Sequence, residues 1–448
     1  MSGKRLEAVG RVRRSSVVRA EGPDAVSSHD LAMLARPSDD ARYARSRELM
    51  ARAERVVPGG IYGHQSPAFL VPAAYPSFLA EAKGCRIRDV DGNEYIDFLC
   101  GYGPIVLGHR HPKVEEAADR QRRQVDTQAL PSERFVELAE RLVGITPRAA
   151  WAVFAKNGSD VCTWSLAVAR VATGRPLVAM VDHTYHGVHG WCNPLPAGFL
   201  PAEREAMRTF AWNDLEGLRR IFDAEAARVA AVIVTPFRHE ALENSVLPAP
   251  GFLEGVRALC DRHGAVMIVD DVRAGFRLDL RGSTQRWGVT PDLLLYSKAL
   301  ANGYPLSAMI GAEALRTAAK SVFVTGTAFT QAVPIAAALA TIDEIEQSGA
   351  IEIMDRAGRR FCEGLEQLAA VAGLEVTISG PPAIPFMTFA DDAGKFDRNR
   401  VFGAACARRG VFLHPVHNWF VSAAHTDADI DAALEIAAAG FAEVKAAF

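Results

Sequence analysis

The sequence predicts an α/β protein whose mostly parallel sheet is covered by helices, and three observations carry this. Between residues 132 and 296, short apolar runs alternate with segments of helical period, the pattern of strands joined by crossover helices. The runs at 177–181, 230–234, 265–269 and 293–296 are nearly all apolar rather than alternating, as expected of strands buried on both faces. From residue 333 the pattern changes to a long Ala-rich helix (333–348) followed by helical, strand and helical segments, which predicts a second, smaller α/β unit beginning near residue 345.

Composition narrows the class. The 448 residues suffice for a large core and more than one domain. Apolar residues make up 49% and charged residues 23%, as in a globular enzyme, and the net charge of −3 points to neither nucleic acid nor an anionic membrane surface. No apolar run approaches the roughly 20 residues of a membrane helix. Seven cysteines without CxxC spacing suggest reduced thiols and a cytoplasmic location.

Taken in order, residues 1–40 hold Lys and Arg among Ser and Gly with little periodicity, which predicts a flexible arm. Glu7, Glu21 and Asp24 count against a transit peptide. Residues 41–57 show helical period, ended by Pro58-Gly59-Gly60. Two strand-like runs, 86–90 and 95–98, flank Asp91-Gly92-Asn93, a hairpin turn by its chemistry. Residues 101–112 are turn-rich. Helical segments at 132–144, 160–172 and 252–263 then separate the buried runs. The expected layout is a segment 41–95 packed on both units, a large domain at 96–345 and a small one at 346–448.

The most informative stretch runs from Ala265 to Pro305. One apolar run stops at Asp270 and Asp271; the next, 293–296, stops at Ser297 and Lys298. In an open α/β sheet, groups just beyond the carboxyl ends of strands face the ligand crevice. A buried lysine there can lose its proton and attack a carbonyl. A buried aspartate can hold a ring nitrogen protonated. Those two groups are what pyridoxal 5′-phosphate (PLP) requires of a protein.

Other stretches keep alternatives open. Lys156-Asn157-Gly158-Ser159-Asp160 leads from a loop into a helix, and is either an ordinary N-cap or a phosphate site at free N–H groups. Residues 182–189 place His183, His186 and His189 three apart. A metal site would need that spacing on a helix, and Gly187 interrupts it, so no metal is expected. The same loop could stack Tyr185 on a planar cofactor, or be a polar loop with its groups satisfied. Thr327 follows Gly326 before the Ala-rich helix, again an N-cap or an anion site. Arg273 either seeks an anion in the crevice or lies in solvent.

Seven stretches in one order, Asp89–Phe98, Gly103–Pro112, Asn157–Asp160, Tyr185–Gly187, Asp270–Phe276, Pro291–Gly311 and Phe420–Asp431, together resemble class III PLP-dependent aminotransferases, in the branch similar to glutamate-1-semialdehyde 2,1-aminomutase. The resemblance implies PLP fold type I, with a large mixed-sheet α/β/α domain and a small C-terminal α/β domain. It makes Lys298 the Schiff-base lysine and proton carrier, pairs Asp270 with the pyridinium nitrogen, and sets Val272 and Tyr185 on the two ring faces. Gly158 and Ser159 would bind the phosphate, with His186 and Arg273 also at the cofactor. Thr327 would reach the phosphate of the neighbouring subunit, which implies a homodimer with shared sites. Amino transfer from an amine or amino-acid donor to a carbonyl acceptor, through a pyridoxamine phosphate form, is the reaction so implied. Intramolecular transfer of the aminomutase type is the alternative.

The chain also departs from that pattern. Asp271 stands where Glu is usual, Arg273 where Gln or Met is common, and Thr235-Pro236-Phe237-Arg238-His239 where a Glu-Pro pair ends a strand. Tyr102 replaces the aminomutase's Trp. The loop whose arginine grips a substrate carboxylate is here His64-Gln65-Ser66-Pro67-Ala68-Phe69, and its acidic tail loop becomes His414-Pro415-Val416-His417-Asn418-Trp419. A bulky, apolar or biosynthetic substrate is therefore expected, in an aromatic pocket of Tyr62, Phe69, Tyr102 and Trp419.

Overall fold

The computed structural model describes residues 41–65, 71–72, 75–195, 197–392 and 394–448. The expected arm at 1–40 and Phe69 lie outside them. A 3₁₀ turn, Ala41–Tyr43, opens helix α1 (Ala44–Ala53), which ends before Pro58 as its breakers require. Strands β1 (Leu79–Lys83), β2 (Arg86–Asp89) and β3 (Glu94–Asp97) form an antiparallel ribbon. The Asp89 carboxylate closes the predicted turn, accepting from the N–H groups of Asp91 (3.0 Å) and Asn93 (2.8 Å) and from Tyr95 Oη (2.7 Å).

Helices α2 (Pro112–Gln124) and α3 (Glu133–Ile145) follow. The first was not expected: only Val114, Ala118 and Gln121 of its charged sequence are buried, a stripe too narrow to stand out. The chain then alternates through β4 (Ala149–Ala155), α4 (Gly158–Thr173), β5 (Leu177–Val181), β6 (Met207–Phe210), α5 (Leu215–Glu225), β7 (Val229–Val234), α6 (Phe252–His263), β8 (Val266–Asp270), β9 (Leu293–Tyr296), β10 (Ser307–Ala312) and a short α7 (Arg316–Ser321). These strands make one seven-stranded sheet in the order β4-β10-β9-β8-β7-β5-β6. Only β10 runs against its neighbours, so the sheet is mixed. Every residue of β5, β7, β8 and β9 is buried, which is why those runs carry no alternation.

Gly349, with φ +65°, ends α8 (Ala332–Ser348) and opens α9 (Ala350–Ala372). An antiparallel pair, β11 (Val376–Ser379) and β12 (Phe386–Phe389), precedes α10 (Asp397–Arg408). Strand β13 (Val411–Phe412) pairs in parallel with β3, so the C-terminal unit completes a four-stranded sheet begun in the N-terminal segment. Helix α11 (Asp427–Ala447) closes the chain behind a capping box of Thr426 and Asp429. Phe361, Leu365, Phe402 and Phe441 build a second core with Ile96 and Phe98, separate from the core around the large sheet. Among the described residues no helix is long and apolar enough to cross a membrane, and all seven cysteines are free.

Gly358 shows how tightly α9 is seated. A Cβ there would overlap the carbonyl oxygen of Pro382, which belongs to backbone and cannot swing away. Gly358→Ala should cost about 1–3 kcal/mol of stability, read as a lower urea midpoint with an unchanged slope.

Candidate active site

The site is assembled from loops at the carboxyl ends of β4, β5, β7, β8 and β9, the side of an α/β sheet where ligands bind. Asp270 is the last residue of β8 and 6% exposed. Its Oδ2 meets His186 Nδ1 at 2.7 Å, and Oδ1 accepts the Val272 N–H at 3.1 Å. Burial alone would raise this carboxyl; the His186 hydrogen bond and charge, the Val272 N–H and the Lys298 charge outweigh it and hold it below its ordinary range. His186 stands on the loop after β5 and stacks on Trp191 at 6.0 Å, and Trp191 Nε1 donates to Thr163 Oγ1 at 3.0 Å.

Lys298 follows β9 and starts a 3₁₀ turn with φ +43°, an uncommon backbone for a side chain of this size. Burial lowers its ammonium to about 8; the Arg273 charge adds to that, while Asp270 and Cys162 oppose it. About a tenth of the amine is therefore unprotonated at pH 7, far more than for an ordinary lysine.

At the other end, α4 begins at Gly158; the Asp160 N–H is taken by the Asn157 carbonyl at 3.1 Å, and those of Gly158 and Ser159 are the first-turn donors that a helix does not bond internally. Asp160 Oδ2 accepts the Asn157 N–H at 2.8 Å and fixes the turn. Val272 lies so close that a Cβ on Gly158 would be 2.9 Å from its Cγ1. Gly187 has φ +131° and would overlap Ser159 Oγ if it carried a Cβ. That glycine lets the Tyr185–Gly187 loop close on the helix start, where the Val188 N–H donates to Ser159 Oγ at 3.2 Å.

Gly158, Ser159, Tyr185, His186, Asp270, Val272, Arg273 and Lys298 all line one cavity of about 620 Å³. A larger open groove of about 840 Å³ lies elsewhere, but Arg359 and Arg360 there pair with Asp355 and Asp431. Convergent chemistry belongs to the smaller cavity.

Several of its residues were not singled out from sequence. His239, after β7, lines the cavity with Nδ1 buried and unpartnered; burial and the Arg273 charge hold it well below the ordinary histidine value. Glu240 beside it accepts the Tyr185 N–H at 3.2 Å, and burial raises its carboxyl. Their place beyond a strand that neighbours β8 was the available signal. Arg273 is turned inward, with Nη1 on Asn418 Oδ1 and, at 3.2 Å, on His417 Nε2.

Among the described residues, Tyr62, Tyr102 and Trp419 do not form the expected aromatic pocket at this cavity. Trp419 is 1% exposed, packs on Phe361 in the second core and donates Nε1 to the His414 carbonyl at 2.8 Å, because the tail loop folds inward there. Tyr62 is 83% exposed and outside the cavity. Tyr102 packs edge-on against His417 at 5.0 Å, one layer behind Arg273. Thr327 is exposed and outside this chain's own cavity. His183 points into solvent beside Asp182, while His186 is committed to Asp270.

His186→Ala leaves the buried Asp270 carboxylate without its closest partner. A loss of about 2 kcal/mol is expected. Because the folded carboxyl lies below its ordinary 3.8, this contribution is complete above that value and is lost as pH falls through the folded value. Urea unfolding of wild type and variant should therefore differ most at neutral pH and converge in strong acid.

Residues 71–438 match the family model described as aminotransferase class-III. The aminopentol aminotransferase of Sphingopyxis macrogoltabida is 42% identical over 90% of this chain and 95% of its own length. The glutamate-1-semialdehyde 2,1-aminomutase of Desulfatibacillum aliphaticivorans is 33% identical over 88% and 98%. The solved structure of the Sphingopyxis sp. MTA144 FumI protein in its PLP internal aldimine form superposes with a TM-score of 0.87, at 42% identity, over 89% of this chain and 96% of that one. With the strand-end lysine, carboxylate and helix start converging on one cavity, the chain belongs to the class III aminotransferases, a PLP-dependent enzyme that moves an amino group from a donor to a carbonyl acceptor.

Proposed function

We propose that Lys298 is the acting nucleophile and proton carrier of this aminotransferase, and that its donor is a bulky, hydroxyl-rich amine rather than a dicarboxylate. The observation that carries the first part is the shared cavity: Lys298 and Asp270 face it from adjacent strand ends, and the Gly158–Ser159 helix start lies across it. The donor set fits PLP. Asp270 would take the ring nitrogen, Val272 and Tyr185 the ring faces, and Gly158 with Ser159 the phosphate, with His186 and Arg273 at the ring's edge. When bound, PLP supplies an electron sink for charge developing at the substrate's Cα. Asp270 is kept ionised by His186, and so favours a proton on a nitrogen placed against it. Lys298, partly unprotonated, can take a proton at Cα and return it.

The second part rests on which polar groups surround the crevice. No arginine stands at the positions described from the carboxylate-gripping loop, His64 and Gln65. Instead His239 Nδ1 is buried without a hydrogen-bond partner at the cavity, a group suited to a hydroxyl, and Glu240 Oε1 on the next residue is likewise buried and unpartnered. The name of the Sphingopyxis relative, which denotes an amine with five hydroxyl groups, supports the same class. Homodimers are also proposed: Thr327 lies outside its own cavity and Phe323 beside it is 90% exposed, as for a segment completed by a second subunit. Seven free thiols, six of them buried, accord with a reducing, cytoplasmic setting.

The purified enzyme should show a visible absorption band that is absent from Lys298→Ala. The band should bleach with an amino polyol and respond weakly to glutamate or aspartate. Loss of turnover in the variant should reach at least about 10²–10⁴-fold. Bleaching confined to dicarboxylates would reject the donor class. Sedimentation should give twice the 48.4 kDa chain mass, and Thr327→Ala should weaken cofactor binding. A monomer of unchanged cofactor affinity would reject the shared site.

A further inference from the structure

We infer that the segment His414–Trp419 is an electrostatic positioning arm: through His417 and Asn418 it holds the Arg273 guanidinium in the cavity that Lys298 also lines, where its positive charge disfavours a proton on the Lys298 nitrogen. This rests on the proposed role of Lys298 and adds a second unit of the fold to it. Arg273 follows β8 in the large domain, whereas the arm follows β13 in the C-terminal unit.

The arm's chemistry is set by its hydrogen bonds. Arginine only donates, so His417 Nε2, 3.2 Å from Arg273 Nη1, must accept. The proton of His417 is then on Nδ1, which meets the Asn418 carbonyl at 2.8 Å. His417 is neutral in this arrangement; burial and the charges of Arg273 and His414 hold it well below the ordinary histidine value. Asn418 Oδ1 takes a second contact from the same Nη1, and Asn418 Nδ2 donates to the Trp419 carbonyl at 3.1 Å, which fixes the amide's orientation.

The rest of the arm is pinned. His414 Nδ1 accepts the Val416 N–H at 3.2 Å while Nε2 meets the His64 carbonyl at 3.1 Å. Trp419 anchors the far end, with its backbone N–H on the Pro385 carbonyl at 2.7 Å and its indole on the His414 carbonyl. Trp419 thus acts on the site through the arm rather than as a wall of the pocket. Nothing on the arm is anionic, so the guanidinium is oriented without being neutralised.

The charges facing each group are few. Asp270 favours the protonated form of Lys298 and Arg273 opposes it, while Cys162, whose thiol burial keeps protonated, and His239 face it without a charge. Glu240, Asp270 and Tyr185 act on Arg273 from the loops after β7, β8 and β5. His64, His239 and His417 feel its charge as well. Released from the arm, Arg273 would turn toward Glu240, whose Oε1 is buried and unpartnered. Its effect on Lys298 would then fall.

The test is a pH titration of the visible band of the cofactor-loaded, full-length enzyme, which follows the proton on the Lys298 nitrogen. Removing a nearby cation makes that nitrogen easier to protonate, so Arg273→Gln should raise the midpoint by about one pH unit, a tenfold change in proton affinity. Asn418→Ala should move it the same way by a smaller step. Arg273→Lys retains the charge and should stay close to wild type, which a purely structural role would not predict. An unmoved midpoint in Arg273→Gln overturns the inference, and so does a shift in Arg273→Gln with none in Asn418→Ala. A band that persists in Lys298→Ala overturns the reading of Lys298 itself, and this inference with it.

Discussion

Two adjacent carboxylates, Asp270 and Asp271, are buried at the end of the central strand, and the site is built around what that burial demands. Successive side chains leave a strand on opposite faces, so the pair cannot share a solution. Asp270 enters the crevice, gains His186 and stays ionised. Asp271 faces the other way, where its Oδ2 accepts the Ser283 N–H at 2.8 Å and Oδ1 has no partner. Burial pushes that carboxyl up to about 8. One residue's shift along the chain thus separates a charged group that can face a cation from a neutral one that ties a loop beneath the sheet.

The ionised Asp270 sets the sign of everything near it. Its negative charge would by itself hold Lys298 protonated, and a protonated amine cannot attack a carbonyl. Burial and Arg273 act in the opposite direction and bring the ammonium to about 8. The guanidinium is itself buried and is placed by groups from the C-terminal unit. The crevice is a balanced set of charges, each costly to bury alone and tolerable only beside the others. Such coupling explains why the lysine, the arginine and both acids lie within thirty residues of one another while their partners come from distant segments.

How much was legible follows from the range of the interactions involved. Asp270 and Lys298 could be placed because a buried strand announces itself by a run of apolar residues, and the residue after its end faces the crevice by geometry alone. Gly158–Ser159 and the Tyr185–Gly187 loop were recognisable through residue types that suit a helix start and a tight backbone approach. Trp419 misled because an aromatic side chain in a loop has no local property that separates a pocket wall from a core anchor; the difference lies in Phe361 and the His414 carbonyl, which sit elsewhere in the chain. Helix α2 was hidden for a related reason, since its narrow buried stripe has meaning only against α8.

The sequence by itself determined the fully buried strands β5, β7, β8 and β9, the hairpin at Asp91–Asn93, the carboxylate and lysine at strand ends, and the membership they imply, but not β4, β6 or β10. Those features rest on period, turn chemistry and burial, all local. Tertiary structure alone decided that His186 compensates Asp270, that His239 stands in the crevice with Glu240 holding the Tyr185 loop beside it, and that His417 and Asn418 turn Arg273 inward. Hydrogen bonds of that kind join residues 55 to 145 positions apart, and their geometry exists only once distant segments, and for Arg273 two units of the fold, have packed. Nothing in the local pattern encodes which donor will meet which acceptor across such a distance.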